Sequence, residues 1–426
     1  MNRILLIILA LMASIAGGAQ KQIYIPKDLQ GMDLQCDTSL WSMKRMALTP
    51  DFAIFWQRGF GHDLNNPPQL QGRDMHVDLP NLERKLERFY TYFKDTLKFI
   101  RPGSNADKYR MLVMLNYSLE GTAYGGDYDR KIGAFWVAPN RIHDDKLNCV
   151  AHELGHSFQS QIACDSVATE WGGGFYEMTS QWMLWQVNPN WVQDENYHWQ
   201  AYRGLTHKAF LHLQNIYHSP YILEYWGMKR GLPFIAQMYR EGRTDEDVVM
   251  TYKRMNNLTQ HQFCDEMFDA NCHIINFDYP RVWQETRKDA CSLSSLLHLH
   301  DDGWCEIDDR QCPENYGFNA ISLSVPTGAK AVKVKFRGLA GRNVNVQQSA
   351  AAGWRYGFVF VSLQGKTIYG RMSAKPKGSL TFRLPKGDAA AHLYLVVMGA
   401  PEVHWANPTE GKDAQWPYMV KFKWDK

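Results

Sequence analysis

Apolar residues change their period once along this chain. In PNLERKLERFYTYFKDTLKFI (80–100), Leu82, Leu86, Phe89, Phe93 and Leu97 recur every three or four residues, which predicts an amphipathic helix. RMLVML (110–115) and GAFWVAP (133–139) are short apolar runs with the look of buried strands. TDEDVVMTYKRM (244–255) opens with Thr244 and Asp247 at capping-box spacing and predicts another helix. The helical period dominates from about Asp51 to Asn276. Beyond a cysteine-rich stretch at about 287–315, the pattern becomes ISLSVP, AVKVKF, YGFVFVSL, SLTFRLP, HLYLVVM and YMVKFKW, separated by Gly, Pro and Asn. Such a series predicts a β-sandwich of jelly-roll type. The expected class is therefore α+β: a mainly helical domain with a small sheet over 20–290, a connector at 291–315 and a separable all-β domain over 316–426. No internal repeat or low-complexity segment interrupts this order.

The first residues add a location. Arg3 is followed by an apolar run from Ile4 to Ile15 and by small residues up to Ala19. This reads as a secretory signal over 1–19, cleaved after Ala16 or Ala19, because the run is too short to span a bilayer of ~30 Å. The mature protein is expected to be periplasmic or secreted, with no membrane span. Export makes disulfides chemically allowed among the eight cysteines, and Cys264 with Cys272 or Cys305 with Cys312 would close short loops. A formal net charge of +3 without any basic run argues against nucleic acid as a partner. The chain contains no nucleophile elbow of the G-x-S-x-G type and no Walker loop.

The chemistry concentrates in DDKLNCVAHELGHSFQSQIA (144–163). Leu147, Val150, Leu154, Phe158 and Ile162 give one helical face to a core, with Asp144 or Asp145 as the cap. His152 and His156 lie one turn apart on another face, where both imidazoles can reach one ion, and Glu153 projects beside them. Two histidines and an adjacent carboxylate are what a catalytic zinc requires: two ligands and a base for its water. Gln159 and Ile162 stand where a metzincin carries Gly and His, which removes that class.

The HExxH helix followed by GGGFYEMTSQWMLWQV (172–187) resembles the thermolysin-like gluzincins, whose second helix carries E-x-x-S-D. That resemblance implies Glu177, 21 residues beyond His156, as third zinc ligand, with Glu170 the weaker alternative. Ser180 matches the family pattern, whereas Gln181 replaces the aspartate that orients a ligating histidine there. GAFW (133–136) resembles the edge strand that binds substrate backbone in such enzymes, which would give Ala134, Phe135 and Trp136 that role; a plain core strand is the alternative. NIYHSPYILEYWGMKRG (215–231) resembles the Tyr-led helix of aminopeptidase-like gluzincins, implying Tyr217, or else His218, as oxyanion donor.

With DFAIFWQRGFG and GFNAISL added, the chain is similar over most of its length to a family of exported bacterial proteins of zinc-metallopeptidase type. The implied function is a zincin-like hydrolase holding one zinc ion and cutting a protein, peptide or glycoprotein. A glycan- or glycoprotein-binding adhesin on the same scaffold is the rival reading, kept alive by Gln181. Of Trp354, Trp405, Trp416 and Trp424 in the C-terminal part, most are expected to be core or edge packing, as large aromatics usually are, with stacking on sugars the alternative.

Overall fold

A computed structural model describes residues 20–166, 171, 173–341, 351–386, 390–405 and 413–425. The expected signal at 1–19 and the alternative ligand Glu170 lie outside them. The fold is mixed α and β, with three sheets, and the chain divides into two compact units, one up to Ala168 and one from Thr169.

The N-terminal unit is built on a five-stranded sheet of order β1-β2-β3-β5-β4 (β1, Met46–Leu48; β2, Phe52–Trp56; β3, Met111–Leu115; β4, Ala123–Tyr128; β5, Ile132–Val137). Strands β2, β3 and β5 run parallel, and β1 and β4 are antiparallel to their neighbours. FAIFW and MLVML are buried at every position, as parallel strands covered on both faces must be. Between β2 and β3 the chain crosses over through α1 (Leu79–Thr91), whose cap is Asp78, accepting the Asn81 N–H at 3.0 Å. Leu82, Leu86, Phe89, Phe93 and Leu97 are all buried, although Phe93 lies in a π-helical segment, Tyr92–Thr96, and Leu97 caps it. α2 (Asn148–Asp165) buries Leu147, Val150, Leu154, Phe158 and Ile162, and the Phe158 ring meets those of Tyr90 and Phe93 edge-on at 5.3 Å. Neither Asp144 nor Asp145 caps α2. The residue before it is Leu147 at φ 54°, and Asp144 instead accepts the N–H groups of Lys146 and Leu147 in the preceding turn.

The C-terminal unit contains the longer helices α3 (Gly173–Val187), α4 (Tyr197–Arg203), α5 (Tyr221–Arg230), α6 (Phe234–Glu241), α7 (Val248–Met255) and α8 (Gln260–Ile275). Glu224 of α5 ties three elements: its carboxylate accepts from Trp182 and Gln186 of α3 and pairs with Arg281 at 2.8 Å. α7 starts later than the capping-box pattern suggests, because Asp247 itself is the cap and accepts the Met250 N–H at 2.8 Å. The helix expected from Tyr217 begins at Tyr221, since Pro220 disfavours helical backbone in the residue before it.

Two antiparallel sheets follow, of order β11-β10-β13-β8 and β12-β9-β14-β7-β6 (β6, Leu297–Leu299; β7, Cys305–Ile307; β8, Phe318–Ser322; β9, Ala331–Gly338; β10, Trp354–Ser362; β11, Thr367–Tyr369; β12, Lys377–Arg383; β13, Ala390–Gly399; β14, Tyr418–Asp425). They share one core, in which Phe336 stacks on Tyr356 at 4.1 Å. The supposed connector is part of this assembly: β6 and β7 extend the second sheet through the β7–β14 pairing. Nor is the boundary near 290 a seam. Gly357 of β10 faces the Phe268 ring of α8, Asp265 of α8 pairs with the buried Arg355, and Tyr369 donates to Asp278 at 2.6 Å.

One further expectation is corrected, and another, core packing of the tryptophans, holds for two of the four. No disulfide joins any of the eight cysteines. Cys264 and Cys272 sit eight residues apart on α8, roughly 12 Å along its axis, beyond the ~7 Å limit for a disulfide. Trp354 and Trp416 are core residues, the Trp354 N–H donating to the Trp416 carbonyl at 3.0 Å, while Trp405 and Trp424 are only partly buried. Among the described residues no helix is long and apolar enough to cross a membrane.

Two outcomes are expected. A chain ending at residue 315 should aggregate where the full chain is soluble, because it bares the face of α8 that covers β10; analytical gel filtration of both reads this. His207, buried beside Lys208 and His212, has its imidazole pushed down to about 4, mainly by desolvation. The unfolded chain takes up this proton below pH ~6.5, so the stability it contributes is full above that pH and is lost as pH falls toward 4. His207→Gln should remove about one proton from the uptake on unfolding, measured as the pH slope of the unfolding free energy.

Candidate metal centre

The HExxH helix is held where it is by missing side chains on the strands beneath it. A Cβ on Gly125 of β4 would lie 2.0 Å from the Glu153 carbonyl oxygen and 2.6 Å from the His156 Cβ, and one on Gly133 of β5 would lie 2.6 Å from the Ser157 carbonyl oxygen. Only glycine permits this approach of strand to helix backbone. Polar bonds fix the register: Ser157 Oγ donates toward the Ala134 carbonyl at 2.8 Å, and Gly133 N–H donates to Gln161 Oε1 at 2.8 Å. The helix consequently cannot slide along the sheet.

On this clamped helix the Nε2 atoms of His152 and His156 stand 3.1 Å apart, their rings crossing at 83°. Two nitrogens each ~2.0–2.1 Å from a tetrahedral zinc are about 3.3 Å apart, so the pair fits one ion with hardly any adjustment. The Gln159 amide oxygen lies 3.3 Å from His156 Nδ1. An amide oxygen only accepts, so Nδ1 carries the hydrogen and Nε2 keeps the lone pair a metal needs. Gln159 is thus a positioning residue that sequence reasoning used only to exclude a class; its spacing of three from His156 on one helix face was the available signal. His152 and Glu153 are buried and His156 is half-buried.

Ala134, Phe135 and Trp136 do not form an edge strand. β5 is hydrogen-bonded to β3 on one side and β4 on the other, so its backbone is already used. The edge position belongs to β4, where Tyr124 is exposed.

The remaining candidates lie in the C-terminal unit. Glu177 is half-buried on the second turn of α3, and Ser180 and Gln181 are buried one turn further. Gln181 Nε2 donates to the Tyr217 carbonyl at 3.0 Å and lies 3.4 Å from His198 Nε2. A carboxylate could not make the first of these bonds, which gives Gln181 a physical reason to differ from aspartate. His198 Nδ1 in turn faces His218 Nδ1 at 2.7 Å, and Glu195 Oε2 is 3.5 Å from His198 Nε2. Burial, reinforced by His198, pushes His218 down to about 4, leaving it neutral at pH 7. Tyr217 has its carbonyl held by Gln181 and is 43% exposed. His198 belongs to no sequence motif, and nothing in the spacing pointed to it.

A family described as a family of unknown function (DUF6055) matches residues 16–424. No curated protein matches the chain. The crystal structure of accessory secretory protein 1, 2 and 3 in Streptococcus pneumoniae matches 31% of this chain and 87% of that chain, at 6% identity and a TM-score of 0.18, an overlap too slight for an argument.

Gly125→Ala should destabilise the protein by about 3 kcal/mol, at the upper end for overpacking, because the atom it meets is backbone. It should also weaken zinc binding. Gly126→Ala meets only the exposed Tyr124 ring at 3.2 Å and should leave both nearly unchanged. Thermal unfolding and zinc titration of the two variants make the comparison.

Proposed function

The chain belongs to the family DUF6055, whose function is unknown, and we propose that it is an exported zinc-dependent metallopeptidase. One observation carries the reading: two imidazole nitrogens converge to 3.1 Å on a helix that also bears Glu153. A structural site would have no use for that carboxylate. Zinc bound by His152 and His156 would supply a Lewis acid that acidifies a water and polarises a peptide carbonyl. Glu177 is the proposed third ligand, on its sequence spacing and its place early in α3.

Glu153 takes a proton from the attacking water and delivers it to the leaving amine nitrogen. Gln159 keeps the His156 ring in the ligating tautomer. Tyr217, on the surface, is proposed as donor to the oxyanion; His218, neutral at pH 7, is the second choice for that part. An extended peptide would add to the free edge of β4, replacing the role first assigned to β5. The two C-terminal sheets are proposed as an accessory sandwich. If that part binds glycans, Trp405 and Trp424 are the tryptophans left to do it.

Glu153→Gln tests the mechanism, because it keeps the side-chain size and leaves the histidines in place. Cleavage of a mixed peptide library should fall at least ~100-fold while zinc stays near one per chain. His152→Ala should lose the ion as well as the activity. Undiminished cleavage by Glu153→Gln would overturn the mechanism, and no chelator-sensitive cleavage by the wild type would favour the adhesin.

A further inference from the structure

Another set of ligands lies in the N-terminal unit, away from the HExxH sequence. Asp74, His76 and His143 each offer a ligand atom, all within 4.8 Å of one another. Two segments carry them. In the first, Met75 and Val77 are buried on either side of His76, and Val77 N–H donates to the Leu64 carbonyl at 2.9 Å, so alternation turns His76 outward from a fixed backbone. In the second, Ile142 is buried beside the exposed His143, just before the turn that leads into α2. The ligands therefore project from anchored positions and not from free loops.

The protonation states suit a metal. His143 Nε2 lies 3.2 Å from the His76 carbonyl oxygen, which can only accept, so Nε2 holds the hydrogen and Nδ1 keeps its lone pair. Donation of the second ring N–H to a carbonyl is the usual support for a metal-bound histidine. Asp74 Oδ1 accepts the His76 N–H at 2.9 Å, which sets the carboxylate next to that residue and leaves Oδ2 available. By contrast the cluster of His212, Glu314 and Asp413 is spoken for: His212 Nδ1 accepts from Gln214, and both Glu314 oxygens are taken by Lys208 and Ala209.

The geometry points to a second transition-metal site formed by Asp74, His76 and His143, taking zinc with two imidazoles and one carboxylate and leaving the remaining position to water. Being exposed, it binds more weakly than a buried centre and is emptied by desalting. Occupied, it ties residues 74–76 to the turn before α2.

Equilibrium dialysis of the full chain against zinc chloride, read by elemental analysis, tests this. Wild type should hold two zinc ions in excess zinc and one after desalting. His76→Ala and His143→Ala should each remove the weaker ion, and Asp74→Asn should weaken it at least ~10-fold. His143→Gln reads the same loss should the alanine variant fold poorly by far-UV circular dichroism. His152→Ala should keep the weaker ion, and its unfolding temperature should still rise with added zinc. The inference is overturned if the His76→Ala and His143→Ala variants hold as many ions as wild type in excess zinc. If His143→Ala instead removes the ion that survives desalting and His152→Ala removes none, this site stands and the HExxH reading falls.

Discussion

Everything about the candidate centre depends on how closely a strand backbone can approach a helix backbone. At Gly125 and Gly133 the sheet comes near enough to α2 that a methyl group would collide with helix carbonyls. That contact fixes both the height and the rotation of α2, and rotation decides where His152, Glu153 and His156 point. A metal centre tolerates errors of only a few tenths of an ångström, and a helix resting on ordinary side chains has more freedom than that. The Ser157 and Gln161 bonds to β5 remove the remaining translation.

Around this clamp the polar side chains act as positioners more than as solvated surface. Gln159 selects a tautomer in one unit, and Gln181 organises a turn and an imidazole pair in the other. Both are neutral amides, which can donate and accept at once and keep no charge from which burial could exact a cost. Glu224 shows the opposite solution, a buried carboxylate made tolerable by Arg281 and two N–H donors.

The helix bearing HExxH was legible because its apolar period, its motif and its burial all agree from Leu147 to Ile162. The strands at 111–115 and 132–137 were legible for the same reason, short apolar runs between breakers. Their order in the sheet was not, since periodicity says which faces are buried and nothing about which neighbour lies alongside; hence Ala134 to Trp136 looked like an edge and proved internal. Tyr217 was expected to lead a helix because 215–231 resembles the Tyr-led helix of aminopeptidase-like gluzincins, and that likeness passes over Pro220, whose effect is steric and local. Core packing of Trp354 and Trp416 followed from the usual burial of large aromatics, but composition could not say which of the four indoles would be buried most deeply. Cys264 and Cys272 were paired on sequence proximity, which is not spatial proximity when a straight helix lies between.

The packing of α8 on β10, with Arg355 buried against Asp265, has an evolutionary consequence. A module that travels between proteins by recombination needs a surface that is already finished on every side. Here the all-β part presents an unfinished face, so a gene fusion at the apparent change of pattern would transfer half of an interface. The helices from α3 onward and the two C-terminal sheets are therefore expected to be inherited together, as one heritable block.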